Sequence, residues 1–247
     1  TVTLSNTFFT AGVNVIAVEI HQTAVTSSDI AFDMELIGQA SAAPPATLMA
    51  FGGNWRYLDN NTRPVGWETT GFADGGWATG PAELGYADAP ATTVSFGPDA
   101  NNKYVTTYFR RNVNITGLSS FATITCNIIR DDGFVMYVNG VEVGRDNLPT
   151  GTIGHDTYAP AAIGGADETT PFSFSICPSY FVEGSNTIAV EMHQNAGNSS
   201  DLSFNLEMIG NALTAGTPIL TRNPYLQMGR QTAITIRWRT DIPSFGR

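Results

Sequence analysis

An all-β chain, an antiparallel β-sandwich with partial β domains flanking it, is what the sequence predicts, on three observations. Helix-favouring charged residues are scarce, at 14% Asp, Glu, Lys and Arg together, while 25 glycines and 13 prolines punctuate the chain. The apolar residues fall in short alternating runs rich in Val, Ile, Phe and Tyr, the period of a half-buried strand. One run also occurs twice: IAVEIHQTAVTSSDIAFDMELIG over Ile16–Gly38 and IAVEMHQNAGNSSDLSFNLEMIG over Ile188–Gly210.

The repeat sets the domain plan. It pairs Glu19 with Glu191, His21 with His193 and Asp29 with Asp201 at an offset of about 170 residues, the size of a tandem domain. Residues 1–38 then read as the last strands of a preceding copy. A Pro/Ala linker follows over 39–47, a complete sandwich over 48–210, a second linker over 211–219, and the opening strands of another β domain over 220–247. Because Thr1 begins in mid-pattern, we expect an interior piece of a longer precursor. Two or three strands cannot bury both faces of a sandwich, so Thr1–Gly38 is expected to find a partner sheet, by self-association with another subunit in one version.

Within the complete domain, alternation places strands near Trp55–Leu58, Tyr104–Val113, Phe121–Arg130, Phe134–Val138, Val141–Val143, Phe172–Cys177, Thr187–His193 and Leu202–Ile209. Asn139-Gly140, in VMYVNGVEVG, is the dipeptide of a type I′ hairpin turn. RDDG, just before it, is a second tight turn with Gly133 as its permissive residue. About eight antiparallel strands of this length make two packed sheets, most simply a jelly roll.

Charge excludes some partners. A net charge of −10 and a single lysine, Lys103, leave no cationic surface for nucleic acid or anionic lipid. No apolar run reaches the ~20 residues that span a bilayer, so membrane insertion is not expected. Cys126 shares its parity with Ile124 and Ile128 and points inward; Cys177 sits at a strand end. A disulfide between them stays open on sequence grounds.

Three groups of residues invite a functional reading. In the Ile188–Gly210 piece, read as a hairpin, alternation puts Glu191, His193, Asp201, Ser203 and Asn205 on one face. A cross-strand His193–Asp201 pair would fasten the hairpin, as His21 and Asp29 would in the first copy, while Glu191, His193 and Asp201 together are also the donor types of a metal site. Asp131 and Asp132 read as turn carboxylates before Gly133 or as ligands of a structural Ca²⁺, with Asp146 and Asp156 as further candidates. Trp55, Tyr57, Trp67, Trp77 and Tyr86 crowd the loop-rich start of the domain, either as core or as a platform for stacking a glycan ring. No nucleophile elbow, phosphate loop, CxxC pair or HExxH occurs, so no catalytic residue is assigned.

The series YFRRNVNI, RDDGFVMYVNGVEVGRDNLP and EGSNTIAVEMHQ resembles the galactose-binding-like β-sandwich of carbohydrate-binding modules and of the sugar-binding domain of many glycoside hydrolases. With GNWRYLD, GPAELGY and HQ…SSDLSF it looks like a repeated module of large secreted bacterial surface proteins. The resemblance implies an extracellular module for adhesion, glycan binding or fibre assembly, and raises the expectation of Ca²⁺. LTRNPYLQMGRQTAITIRWRTD, over Leu220–Asp241, is similar to the opening strands of the fibronectin-like domain of purple-acid-phosphatase-type metallophosphoesterases. It implies, as the alternative, the accessory region of such an esterase, whose metal motifs would lie past Arg247.

Overall fold

The computed structural model describes residues 15–19, 21, 24, 26 and 44–212, together with the backbone of 220–230 and 233–240. The chain divides into two units, residues 1–39 and 40–247. In the first, His21 is exposed and its Nε2 lies 3.1 Å from Glu19 Oε2, while Asp29 and the strand-addition surface fall outside the described residues.

The second unit is a two-sheet β-sandwich. Its strands are β1 (Ala46–Met49), β2 (Asn54–Leu58), β3 (Ala78–Pro81), β4 (Leu84–Tyr86), β5 (Thr92–Thr93), β6 (Thr106–Ile115), β7 (Phe121–Asp131), β8 (Gly133–Val138), β9 (Val141–Asp146), β10 (Phe172–Ile176), β11 (Gly184–His193) and β12 (Leu202–Ala212). A single helical turn, α1 (Ala166–Thr169), lies before β10. One sheet runs β10-β7-β12-β4-β5, with β1 also paired to β12; the other runs β3-β2-β6-β11-β8-β9. All pairs are antiparallel except β4 with β5. Two further strands, β13 (Leu220–Arg230) and β14 (Ala233–Thr240), form an antiparallel pair of their own.

Strand alternation fills the space between the sheets. Ile188, Val190 and Met192 of β11 and Phe109 and Val113 of β6 meet Phe204, Leu206 and Met208 of β12 and Ile124, Cys126 and Ile128 of β7, all in one core cluster. Phe204 stacks on Phe109 with ring centres 4.3 Å apart and meets Trp55 edge-on at 4.9 Å. At Asn139 (φ 52°) and Gly140 (φ 88°) the left-handed turn joins β8 to β9.

The pairing of the repeated piece differs from the expected hairpin. β11 pairs with β6 and β8, whereas β12 pairs with β7, β4 and β1, so the two strands lie in opposite sheets and face each other across the core. Parity alone does not distinguish a hairpin from such an arch, because both put Ile188, Val190, Met192, Phe204, Leu206 and Met208 inside. Asp131-Asp132 likewise carries the chain from β7 in one sheet to β8 in the other. Gly133 serves by close approach rather than by positive φ: a Cβ there would lie 2.5 Å from the Asn147 carbonyl oxygen.

The outer face of the β11 sheet carries a second layer. Tyr108, Ala189, Trp67 and Trp77 are buried together there, with Phe72 and Tyr137 packed against them. Arg110, 2% exposed, holds that layer down: its Nε is 3.0 Å from Asp74, and its Nη atoms donate to the carbonyls of Trp67 and Thr69. The loop between β2 and β3 is thereby fixed on the sheet rather than left in solvent.

Candidate cation site

The two arches, β7 to β8 and β11 to β12, sit side by side. Asp131 is opposite Ser203 at the start of β12, Gly133 is opposite His193 at the end of β11, and the Asp132 N–H donates to the His193 carbonyl at 3.3 Å. The sandwich thus gathers several acidic side chains at one rim. Each oxygen of the Asp132 carboxylate accepts one backbone N–H, from Ile163 and from Asn195, both at 2.7 Å. It ties the loop before α1 and the β11–β12 arch to the β7 end.

Asp131 is different. It is 1% exposed, yet neither of its carboxylate oxygens receives a hydrogen bond. Its neighbours include the carboxylates of Asp132 and Asp201, and burial first, then Asp132 and Asp201, push its pKa up to about 9. The Oε1 of buried Gln194 and the hydroxyl of buried Tyr86 are also without partners. Burial, then the charges of Asp131, Asp201 and Asp132, raise the Tyr86 pKa strongly. Asp201 extends the cluster outward: one oxygen each from Asp88, Glu168 and Asp201 lie within 4.8 Å of one another, with Asp88 exposed. Among the described residues no cation forms a salt bridge with any of these carboxylates.

An all-oxygen, strongly negative donor set suits a hard divalent cation, and irregular loops of this kind suit Ca²⁺ better than the strict octahedron of Mg²⁺. Asp88, Glu168 and Asp201 are the residues whose oxygens lie close enough together to hold it, with the buried Asp131 carboxyl beside Asp201. Asp131 and Asp132 are conspicuous in the sequence as adjacent acids before a glycine. Asp88, Glu168 and Gln194 carry no sequence signal, since each is a lone residue brought in by the fold.

The other sequence candidates separate from this rim. Glu191 and His193, both fully buried, lie on the outer face of the β11 sheet, not opposite Asp201; the arch geometry corrects the expected His193–Asp201 pair and the three-residue metal set. There His193 Nδ1 lies 2.7 Å from the Thr157 carbonyl and 3.1 Å from Thr106 Oγ1, and Nε2 is 3.5 Å from Glu191 Oε2. Glu191 accepts from the Tyr137 hydroxyl at 2.7 Å and has Arg63 at 3.7 Å. Asp146 is engaged by Arg130 at 2.6 Å. Trp55, Trp67 and Trp77 are 1%, 1% and 9% exposed, so none presents a ring face to a sugar; they belong to the two apolar layers. Tyr57 is half-buried against the core. Both cysteines are free. Cys126 is opposite Phe174, so Cys177 lies three residues along, about 10 Å, beyond the reach of a disulfide. Burial pushes the Cys126 thiol up to about 12.

No protein-family model matches the sequence, and no curated protein matches it. Among solved structures, the chain is similar to a Bacteroides uniformis beta-glucuronidase at 13% identity and a TM-score of 0.42, over 68% of this chain and 18% of that one. It is also similar to a beta-glucuronidase from an uncultured Clostridium sp. at 12% identity and a TM-score of 0.44, over 85% and 36% of the two chains. A beta-glycosidase from Bacteroides vulgatus aligns at 12% identity and a TM-score of 0.41, over 82% and 25%. The chain therefore spans about a third or less of these enzymes' length. Among the described residues no helix is long and apolar enough to cross a membrane.

Proposed function

We propose that the chain is a non-catalytic, Ca²⁺-dependent β-sandwich module of a larger extracellular protein, of the galactose-binding-like kind, and that it binds glycans at the acidic rim. The observation that carries this reading is the Asp131 carboxylate, buried and unpartnered beside Asp132 and Asp201. Such a group is costly unless a proton or a cation offsets it. Ca²⁺ takes six to eight oxygens, so coordination positions on the side of exposed Asp88 remain for water or for sugar hydroxyls. The duplicated Ile16–Gly38 and Ile188–Gly210 pieces support a tandem arrangement, in which weak single sites act together.

The test is a glycan array probed with the protein in Ca²⁺, in EDTA, and as Asp131→Asn. Binding that needs Ca²⁺ and is lost in the variant supports the reading; binding indifferent to both contradicts it. The Leu220–Asp241 run favours a second reading, the accessory region of a secreted metallophosphoesterase. Aspartate, asparagine and histidine metal motifs in the gene downstream of Arg247 would support it, and further copies of the IAVE-HQ piece there would oppose it.

A further inference from the structure

The arch that carries Asp201 runs from His193, at the end of β11, to Leu202, at the start of β12, and its two legs are fastened differently. The β11 leg is tied to its surroundings through the backbone: the Gln194 N–H donates to the Val105 carbonyl at 2.9 Å, the Gln194 carbonyl accepts from the Ala159 N–H at 2.9 Å, and the Asn195 N–H donates to Asp132 at 2.7 Å. At the crown, the Lys103 N–H donates to the Gly197 carbonyl at 2.7 Å. On the other leg, Ser199–Asp201, one hydrogen bond leads outside the arch among the described residues, from the Lys103 ammonium to the Ser199 carbonyl. The remaining bonds of that leg stay inside the arch: Ser199 N–H to the Ala196 carbonyl, Ser200 Oγ to Asp201 Oδ1, and Gln194 Nε2 to the Asp201 carbonyl.

Lys103 is the single lysine of the chain. Its Nζ lies 5.5 Å from the centre of the Phe96 ring and 5.8 Å from that of Tyr86, two rings that themselves meet edge-on at 5.3 Å. Tyr86 is opposite Leu202, the first residue of β12, so this aromatic seat adjoins the foot of the arch. Two π faces and a half-buried stem leave the ammonium little freedom. It stands near an acidic rim, yet among the described residues it forms no salt bridge with a carboxylate. Its donor is aimed at the backbone two residues before Asp201.

We infer that Lys103 is the positioning residue of the cation site, holding the Ser199–Asp201 leg so that the Asp201 carboxylate stays beside Asp88 and Glu168. Without a cation those three carboxylates, gathered within 4.8 Å, repel one another. A leg with no other outside tie would swing away, and a cation would then have to order it on binding. The Lys103 bond meets that cost in advance. Its positive charge acts the other way, repelling an arriving cation. The two effects therefore predict opposite signs when the ammonium is removed. This rests on the Ca²⁺ reading of the rim and adds to it the residue that keeps the site in shape.

The test is calorimetric titration of the metal-stripped protein, Lys103→Met and Lys103→Arg with Ca²⁺, alongside hydrogen exchange and Tm of the metal-free forms. Methionine keeps an apolar chain over Tyr86 and Phe96 and loses the donor. Lys103→Met weakens Ca²⁺ binding about tenfold, the size of one hydrogen bond from a charged donor, and quickens exchange over residues 198–201, with little change in metal-free Tm. Lys103→Arg, which keeps charge and donors, recovers part of the affinity. Unchanged or tighter Ca²⁺ binding by Lys103→Met overturns the inference and leaves the cation site standing, since tighter binding is what removal of a mere repelling charge gives. A Lys103→Met protein that fails to fold even in millimolar Ca²⁺, or a Lys103→Arg protein as weak as Lys103→Met, also overturns it. Absence of Ca²⁺ binding by the unsubstituted protein overturns both.

Discussion

A buried carboxylate that no donor faces keeps its proton until a cation replaces it, and Asp131 is such a group. Its pKa, pushed up to about 9 by burial and by Asp132 and Asp201, lies above the ordinary value of an unfolded chain. Between those values the folded protein holds a proton that the unfolded chain has released. Metal-free stability is therefore fullest below about pH 4 and falls as pH rises towards 9. Urea midpoints across that range should show the decline without Ca²⁺, a flatter curve with it, and a flatter curve in Asp131→Asn, whose amide has no proton to lose. Asp131 and Asp132 were visible in the sequence because two acids before a glycine stand out. Asp88 and Glu168 were not, since nothing in their spacing links them to Asp201 before the chain folds.

Whole elements were more legible than their partners. Eight of the sandwich's twelve strands, β2 and β6 to β12, follow from alternation, and the β8–β9 turn from the backbone freedom of Asn139-Gly140; β1, β3, β4 and β5, two to four residues each, are too short to show a period. What alternation leaves open is which sheet a strand joins. The segment between His193 and Leu202 spans the sandwich as an arch, and the inward set is the same as in a hairpin. The tryptophans were ambiguous for a related reason: the loop after β2 folds over the outer face of the sheet and buries Trp67 and Trp77 where a simple sandwich would leave that face to solvent. Arg110 is the fastening of that layer. Its replacement by Ala leaves Asp74 and the Trp67 and Thr69 carbonyls without their donor, and should cost about 3–5 kcal/mol. Hydrogen exchange should quicken over residues 59–77 more than in β7 or β12. Phe204→Ala, in contrast, empties the centre of the sandwich between Phe109 and Trp55, and should lower stability by about 3–5 kcal/mol with protection lost across both sheets.

At the scale of the molecule, the strand order brings two sheet-crossing arches to one rim, and that placement gathers Asp131, Asp132 and Asp201 from distant parts of the chain. A cation there would bind the folded state alone and so stabilise it by mass action. At a Ca²⁺ concentration about a hundredfold above Kd the gain is about 2.7 kcal/mol, or some 5–10 °C in Tm for a domain of this size. Extracellular Ca²⁺ modules bind with Kd of about 10⁻⁴–10⁻³ M, within easy reach of calorimetry. Titration of the metal-stripped protein with Ca²⁺ at neutral pH is the most direct measurement. In the sandwich, binding should release protons, raise Tm, and disappear in Asp131→Asn. Neither heat nor a Tm shift at millimolar Ca²⁺, or the same response in that folded variant, would contradict a cation site at Asp131.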